Sequence, residues 1–197
     1  VNGDTNSNTP YGLNAEVAWN FGVNLTQDFE LWKREGVVSL DFYRTQFQNQ
    51  IVVDWENPDE IAFYNLAGES YSNSVQVQVD YEAIDGLDIR IAYRFYDIKT
   101  QFGDVLLQKQ LTAQHRAFIN LGYETKKEWN FDFTLNWIGE QRIASTQSNP
   151  EAYQVGDKSP SYVIGNAQIS KNWSEKFTTY IGSENVFNYK MDKSRNF

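Results

Sequence analysis

From Ala15 to Leu31 the chain alternates between apolar and polar residues. Eight of the nine odd positions are apolar (Ala15, Val17, Trp19, Phe21, Val23, Leu25, Phe29 and Leu31), and among the eight even positions only Ala18 is. A helix repeats its faces every 3.6 residues and cannot use a period of two, whereas a strand with one apolar and one polar face requires it. The pattern recurs. Trp129, Phe131, Phe133, Leu135 and Trp137 alternate with Asn130, Asp132, Thr134 and Asn136. Leu87, Ile89, Ile91, Tyr93 and Phe95 alternate with Asp88, Arg90, Ala92 and Arg94, and Val75, Val77, Val79 and Tyr81 with Gln76, Gln78 and Asp80. Weaker versions occupy residues 38–42, 117–123, 163–169 and 177–181. The pattern predicts eight strands and no amphipathic helix of normal length.

The first run is about three times the usual strand of about 5–6 residues. The connections also have a rhythm. Residues 32–36, 82–86, 125–128 and 173–176 read as tight turns, and residues 54–68, 97–114 and 142–159 as long loops. Short and long connections alternate throughout. A soluble sandwich has no need of this, but an up-and-down barrel crossing an outer membrane has short turns on one side and long loops on the other. Lipid leaves no backbone group unpaired, so each strand must pair with both neighbours. The odd, apolar faces would then meet lipid, and the even faces would line a wet interior.

Composition sharpens this picture. Aromatic residues make up 16% of the 197 residues, with 13 Phe, 12 Tyr and 6 Trp. Trp32, Trp129 and Trp173 fall at or beside short turns, with Tyr81 and Tyr123 at comparable points and Trp19 and Trp137 toward the opposite strand ends. Aromatic girdles at two membrane interfaces would produce this placement. The balance of 17 Lys+Arg against 26 Asp+Glu gives −9, a poor match for nucleic acid. There is no Cys, which excludes disulfides and thiolate metal sites, and the single His115 excludes any site needing two imidazoles from one chain. Mean hydropathy is −0.60, and no stretch approaches the roughly 20 apolar residues of a membrane helix. The first residues, Val1-Asn2-Gly3-Asp4, lack the basic and apolar regions of a signal peptide.

The segment Leu13-Asn14-Ala15-Glu16-Val17-Ala18-Trp19-Asn20-Phe21-Gly22 resembles an L-x-P-E-x-x-x-N-y-G stretch of TonB-dependent outer-membrane receptors, with Ala15 in place of the usual Pro. Tyr43-Arg44-Thr45-Gln46-Phe47-Gln48-Asn49-Gln50-Ile51 is similar to a later strand of that family, and Tyr64-Asn65-Leu66-Ala67-Gly68 to the stretch before the next one. Ser159-Pro160-Ser161-Tyr162 with Asn166-Ala167-Gln168-Ile169, and Ser183-Glu184-Asn185-Val186-Phe187-Asn188, resemble its closing strands. The order of five motifs across nearly the whole chain is more specific than any one of them, and its flavour is that of the Bacteroidetes branch. The resemblance implies an all-β, antiparallel fold: about eight consecutive strands, roughly 14 to 21, of a 22-stranded transmembrane β-barrel. Residues 1–197 would form a partial barrel, with the plug domain and final strand absent. Residues 190–197 lack the alternation of a last strand, so Phe197 is not read as the terminal barrel signal.

The same resemblance implies active uptake of a scarce nutrient across the cell outer membrane, such as a siderophore, haem, cobalamin, an oligosaccharide or a metal complex. The implied partners are outer-membrane lipid, the protein's own plug domain, TonB acting through the absent N-terminal part, and a surface lipoprotein. No enzyme, cofactor or metal centre is expected. Substrate-contact candidates in the external loops are Trp55, Phe63, Phe102 and Tyr153. Lumen- or plug-facing candidates are Gln76, Gln78, Asp80, Arg90, Arg94, Asn130, Asp132, Thr134 and Asn136. Asp54, Glu56, Asp59 and Glu60 form an acidic loop without the ligand spacing of a calcium hand. His115-Arg116 opens a strand without a partner motif, and Asn185 reads as a structural strand end. Two other classes stay open: a closed eight-stranded outer-membrane barrel acting as anchor or adhesin, and a soluble all-β carbohydrate-binding module.

Overall fold

The computed structural model describes residues 10–57 and 60–191. Eight long strands carry the fold: β1 (Val17–Leu31), β2 (Arg34–Asn49), β5 (Ser70–Ile84), β6 (Leu87–Phe102), β8 (His115–Glu124), β9 (Trp129–Ile138), β10 (Tyr162–Ser174) and β11 (Phe177–Ser183). Three short strands accompany them: β3 (Ile51–Asp54), β4 (Ala62–Asn65) and β7 (Val105–Gln108). The long strands pair antiparallel in chain order, β1-β2-β5-β6-β8-β9-β10-β11. Seven of the eight alternating runs lie within these strands, and the first, from Ala15, starts two residues before β1. β1 and β11 are the two ends of the sheet and do not pair with each other, so the described residues do not form the closed eight-stranded barrel.

Register turns the alternation into two faces. One cross-strand row reads Leu25, Leu40, Val77, Tyr93, Ala117, Trp137 and Val163, apolar on all seven strands. Three positions along, a row on the other face reads Asp28, Val37, Asp80, Arg90, Asn120, Thr134 and Asn166. Because side chains alternate with a period of two, slipping one strand by one residue would put its apolar set into the polar row. Among the described residues no second layer covers the apolar face. Trp19 is 71% exposed and Phe21 61%, and the apolar side chains that count as buried among the described residues are Val52, Ala92 and Ala113. A soluble two-layer module would bury these same side chains.

The turns match the strand twist. Trp32 and Lys33 link β1 to β2 with φ 52° and 62°, the pair of positive values a two-residue hairpin prefers. Trp is an unusual occupant there, and its indole stays 82% exposed. Around the same rim stand Tyr81, Tyr123, Trp129 and Trp173, with the Lys171 ammonium 5.8 Å from the ring centres of both Trp129 and Trp173. Phe29 lies over Gly36, where a Cβ would sit 2.3 Å from its ring, and stacks on Tyr81 at 6.0 Å. At the opposite rim β2 and β5 continue through β3 and β4, and β6 runs to Phe102 before folding back into β7. Two of the expected long loops are therefore partly hairpin. In these short strands the alternation fades while the backbone pairing goes on.

Candidate functional site

The polar face carries the inner-wall candidates of the sequence. Its residues come from alternate positions of successive strands, so strand pairing alone brings them together. Gln76, Gln78 and Asp80 on β5 pair with Arg94, Ala92 and Arg90 on β6. Asn130, Asp132, Thr134 and Asn136 on β9 continue the same face toward β10. Asp80 forms an ion pair with Arg90 and accepts a hydrogen bond from the Gln78 amide at 2.7 Å. Asn120 donates to Asp132 and to Thr134, each at 2.8 Å. Further along the sheet Asn24 donates to Asp41 at 2.7 Å. These pairs satisfy polar groups that would otherwise be costly away from bulk water.

Toward the loop end of this wall lies a recess of ≈ 460 Å³, lined among others by Gln76, Arg94, Phe118, Asn136, Ile164 and Asn166. It draws on five strands, β5, β6, β8, β9 and β10, which requires the sheet to curve toward its polar side. Arg116 also lines it and stands directly opposite Arg94 in the β6–β8 register. The candidate list had no place for Arg116, although its parity with Phe118 and Asn120 on the weakly alternating β8 would have assigned it to this face.

The external loops are tied to one another. The Arg142 guanidinium forms an ion pair with Glu56, 86 residues away, with one bond at 3.0 Å from Nη1 to Oε2. Arg142 also donates to the Gln108 carbonyl at 2.6 Å, and the Gln110 amide donates to the same Glu56. Both side chains of the pair are under 20% exposed, so removing either one would leave the other charge partly buried and unpaired. Tyr64 on β4 donates its hydroxyl to Asp54 at 2.8 Å. Burial, followed by this carboxylate, pushes the Tyr64 phenol up from 10.0 to about 12. Asp54 and Glu56 are thus engaged by protein partners, and Glu60 accepts from Asn57 at 3.3 Å. Asp59 lies outside the described residues.

The four loop aromatics belong to three connections. Trp55 follows β3 at 46% exposure and Phe63 stands on β4 at 53%. Phe102 is the last residue of β6, and Tyr153 closes the short 3-10 turn Glu151–Tyr153 at 69% exposure. Among the described residues no ring contact joins any two of them. His115 opens β8 with Nδ1 2.6 Å from the Tyr93 hydroxyl. Asn185 closes β11 by receiving the Tyr189 N–H on its side-chain oxygen and donating its amide to the Tyr189 carbonyl, both at 2.9 Å.

Comparison with known proteins fits this geometry. The family described as TonB dependent receptor-like, beta-barrel matches residues 1–186. Among solved structures, the ferric-catecholate import receptor Fiu from E. coli is 14% identical with TM-score 0.62, over 95% of this chain and 26% of that one. A mutant of the ferric enterobactin receptor PfeA from Pseudomonas aeruginosa is 14% identical with TM-score 0.63, over 90% and 26%. The siderophore receptor PiuA from Acinetobacter baumannii is 17% identical with TM-score 0.56, over 87% and 24%. The chain spans about a quarter of the length of these structures. No curated protein matches it.

Proposed function

This chain belongs to the family of TonB-dependent receptor-like β-barrels, and from that premise we propose that it forms part of the wall of an outer-membrane transporter for active nutrient uptake. The observation that carries the reading is the apolar row from Leu25 to Val163, unbroken over seven strands and uncovered by any second layer. Such a surface has one stable environment, hydrocarbon, and a sheet in hydrocarbon must close. The described sheet is then an arc of a larger barrel whose plug domain and remaining strands come from elsewhere in the protein.

The inner residues Gln76, Gln78, Arg90, Arg94, Asn130, Asp132, Thr134 and Asn136 face the bore and the plug in this reading, and supply wall and polarity rather than covalent chemistry. Ligand binds at the external loops, where Trp55, Phe63, Phe102 and Tyr153 offer ring faces, and its release inward is driven by TonB acting on the plug. The relatives named above favour an iron-siderophore among the cargo classes. The test is to reconstitute the complete receptor into bilayers containing brominated acyl chains. Quenching of Trp19 and Trp137, together with ferric-siderophore uptake that stops when TonB is removed, is the expected result. A chain that leaves the membrane in salt buffer without detergent, with unquenched tryptophans, would refute membrane insertion.

A further inference from the structure

Arg142 holds three connections of the loop rim together. Its own connection, between β9 and β10, is fixed by a bridge to Lys158. From there its guanidinium reaches Glu56, between β3 and β4, and the carbonyl of Gln108, where β7 ends. Gln110, two residues further on, donates its side-chain amide to the same Glu56 at 2.5 Å. The next residue, Leu111, donates its N–H to the Arg142 carbonyl at 2.9 Å. Each of the three connections is thus bonded to both of the others. Gln110 and Ala113, between β7 and β8, are buried.

One side chain in this knot is left out of it. Both amide atoms of Gln108, Nε2 and Oε1, are buried and meet no hydrogen-bond partner among the described residues. A buried, unpaired amide destabilises the arrangement that buries it, because opening returns it to water. The bonds from Arg142 act in the opposite sense. Gln108 and Arg142 also border one recess of ≈ 460 Å³, with Thr112, Gln114 and Ser161, so the amide has space to turn into once Arg142 lets go. We propose that Glu56, Arg142 and Gln108 form a loaded clasp. The ion pair holds the three connections shut, the Gln108 amide biases them toward opening, and they open as one unit. The clasp goes beyond the transport reading and does not depend on it.

Hydrogen exchange tests it on the complete receptor in detergent, as wild type, E56Q, Q108L and E56Q/Q108L. The N–H groups of Leu111 and Ile143, bonded to the Arg142 and Asp157 carbonyls, report two connections that do not contain residue 56. Val77 and Ile91 report the sheet. E56Q leaves the Arg142 charge partly buried and unpaired in the shut state. It should speed exchange at Leu111 and Ile143 together, by at least tenfold and by the same factor, because exchange follows the local opening equilibrium. Q108L keeps the bulk and removes the unpaired amide, so it should slow both several-fold, and the double variant should fall between. Val77 and Ile91 should not change. If E56Q leaves either Leu111 or Ile143 at the wild-type rate, the connections move independently and the clasp is overturned. A Q108L chain that exchanges as fast as wild type, or faster, overturns the opening bias. Should Q108L fail to fold, seen as fast exchange at Val77 and Ile91, Q108M carries the same sign test. An intact exchange pattern in a receptor that shows no TonB-dependent uptake would sink the transport reading and leave the clasp standing.

Discussion

At the scale of single residues, Tyr64 is the group whose chemistry is most changed by its surroundings. Its phenol is half-buried above the membrane on β4 and donates to Asp54. Ionising it would create a second anion beside a carboxylate in a partly desolvated place, which is why it holds its proton up to about 12. The sign of the linkage follows. An unfolded tyrosine ionises near 10, so the contribution of this group to stability is complete below pH 10 and is lost between pH 10 and about 12. Spectrophotometric titration of wild type against Tyr64→Phe should reveal one missing tyrosinate equivalent with its midpoint near 12. The variant should also lose less stability than wild type across that window. A missing equivalent that titrates near 10 would mean that the Asp54 contact does not persist in solution.

At the scale of the element, a strand here is defined by which of its alternate residues faces hydrocarbon. Val77 and Gln76 are sequence neighbours on β5, yet Val77 belongs to the apolar row with Leu40 and Tyr93, whereas Gln76 pairs with Asp41 and Arg94. Arg at position 77 should cost about 2–4 kcal/mol of barrel stability, the depth-dependent penalty for a charge facing lipid, and Arg at position 76 much less. Urea unfolding of the complete barrel from micelles measures both, and equal costs would deny the assignment of faces. The same physics explains what the sequence made legible. Lipid imposes the period of two, so eight strands and both faces could be read from residues such as Phe21, Val77 and Phe133. Where that constraint stops, so does the signal. β3, β4 and β7, at the opposite rim, pair without that alternation and read as loop. Arg116 was missed because the alternation of β8 is weak, with Ala117 and Gly122 diluting its contrast. The Glu56–Arg142 tie joins residues 86 apart, and no local pattern encodes a partner at that separation.

At the scale of the whole molecule, the sheet has two unfinished ends. β1 presents 15 residues along an edge with no neighbour, and β11 another 7. In an antiparallel strand every second residue turns its N–H and C=O outward, so β1 alone exposes about seven such pairs, each costing several kcal/mol if left bare in hydrocarbon. That total exceeds the stability of any ordinary domain. An arc of this kind cannot stand alone in a bilayer, so the proposed transporter wall requires both edges to be paired. Hydrogen exchange makes the argument measurable. In the complete receptor the amides of β1 and β11 should be as protected as those of β5 and β6 in the middle of the sheet. With residues 1–197 alone in detergent, β5 and β6 should stay slow while the outward amides of β1 and β11 exchange fast, and the sample should associate with rising concentration as edges find one another. A monodisperse monomer with protected edge amides would instead mean that this chain closes on itself, and the arc would have to be redrawn as a barrel of its own.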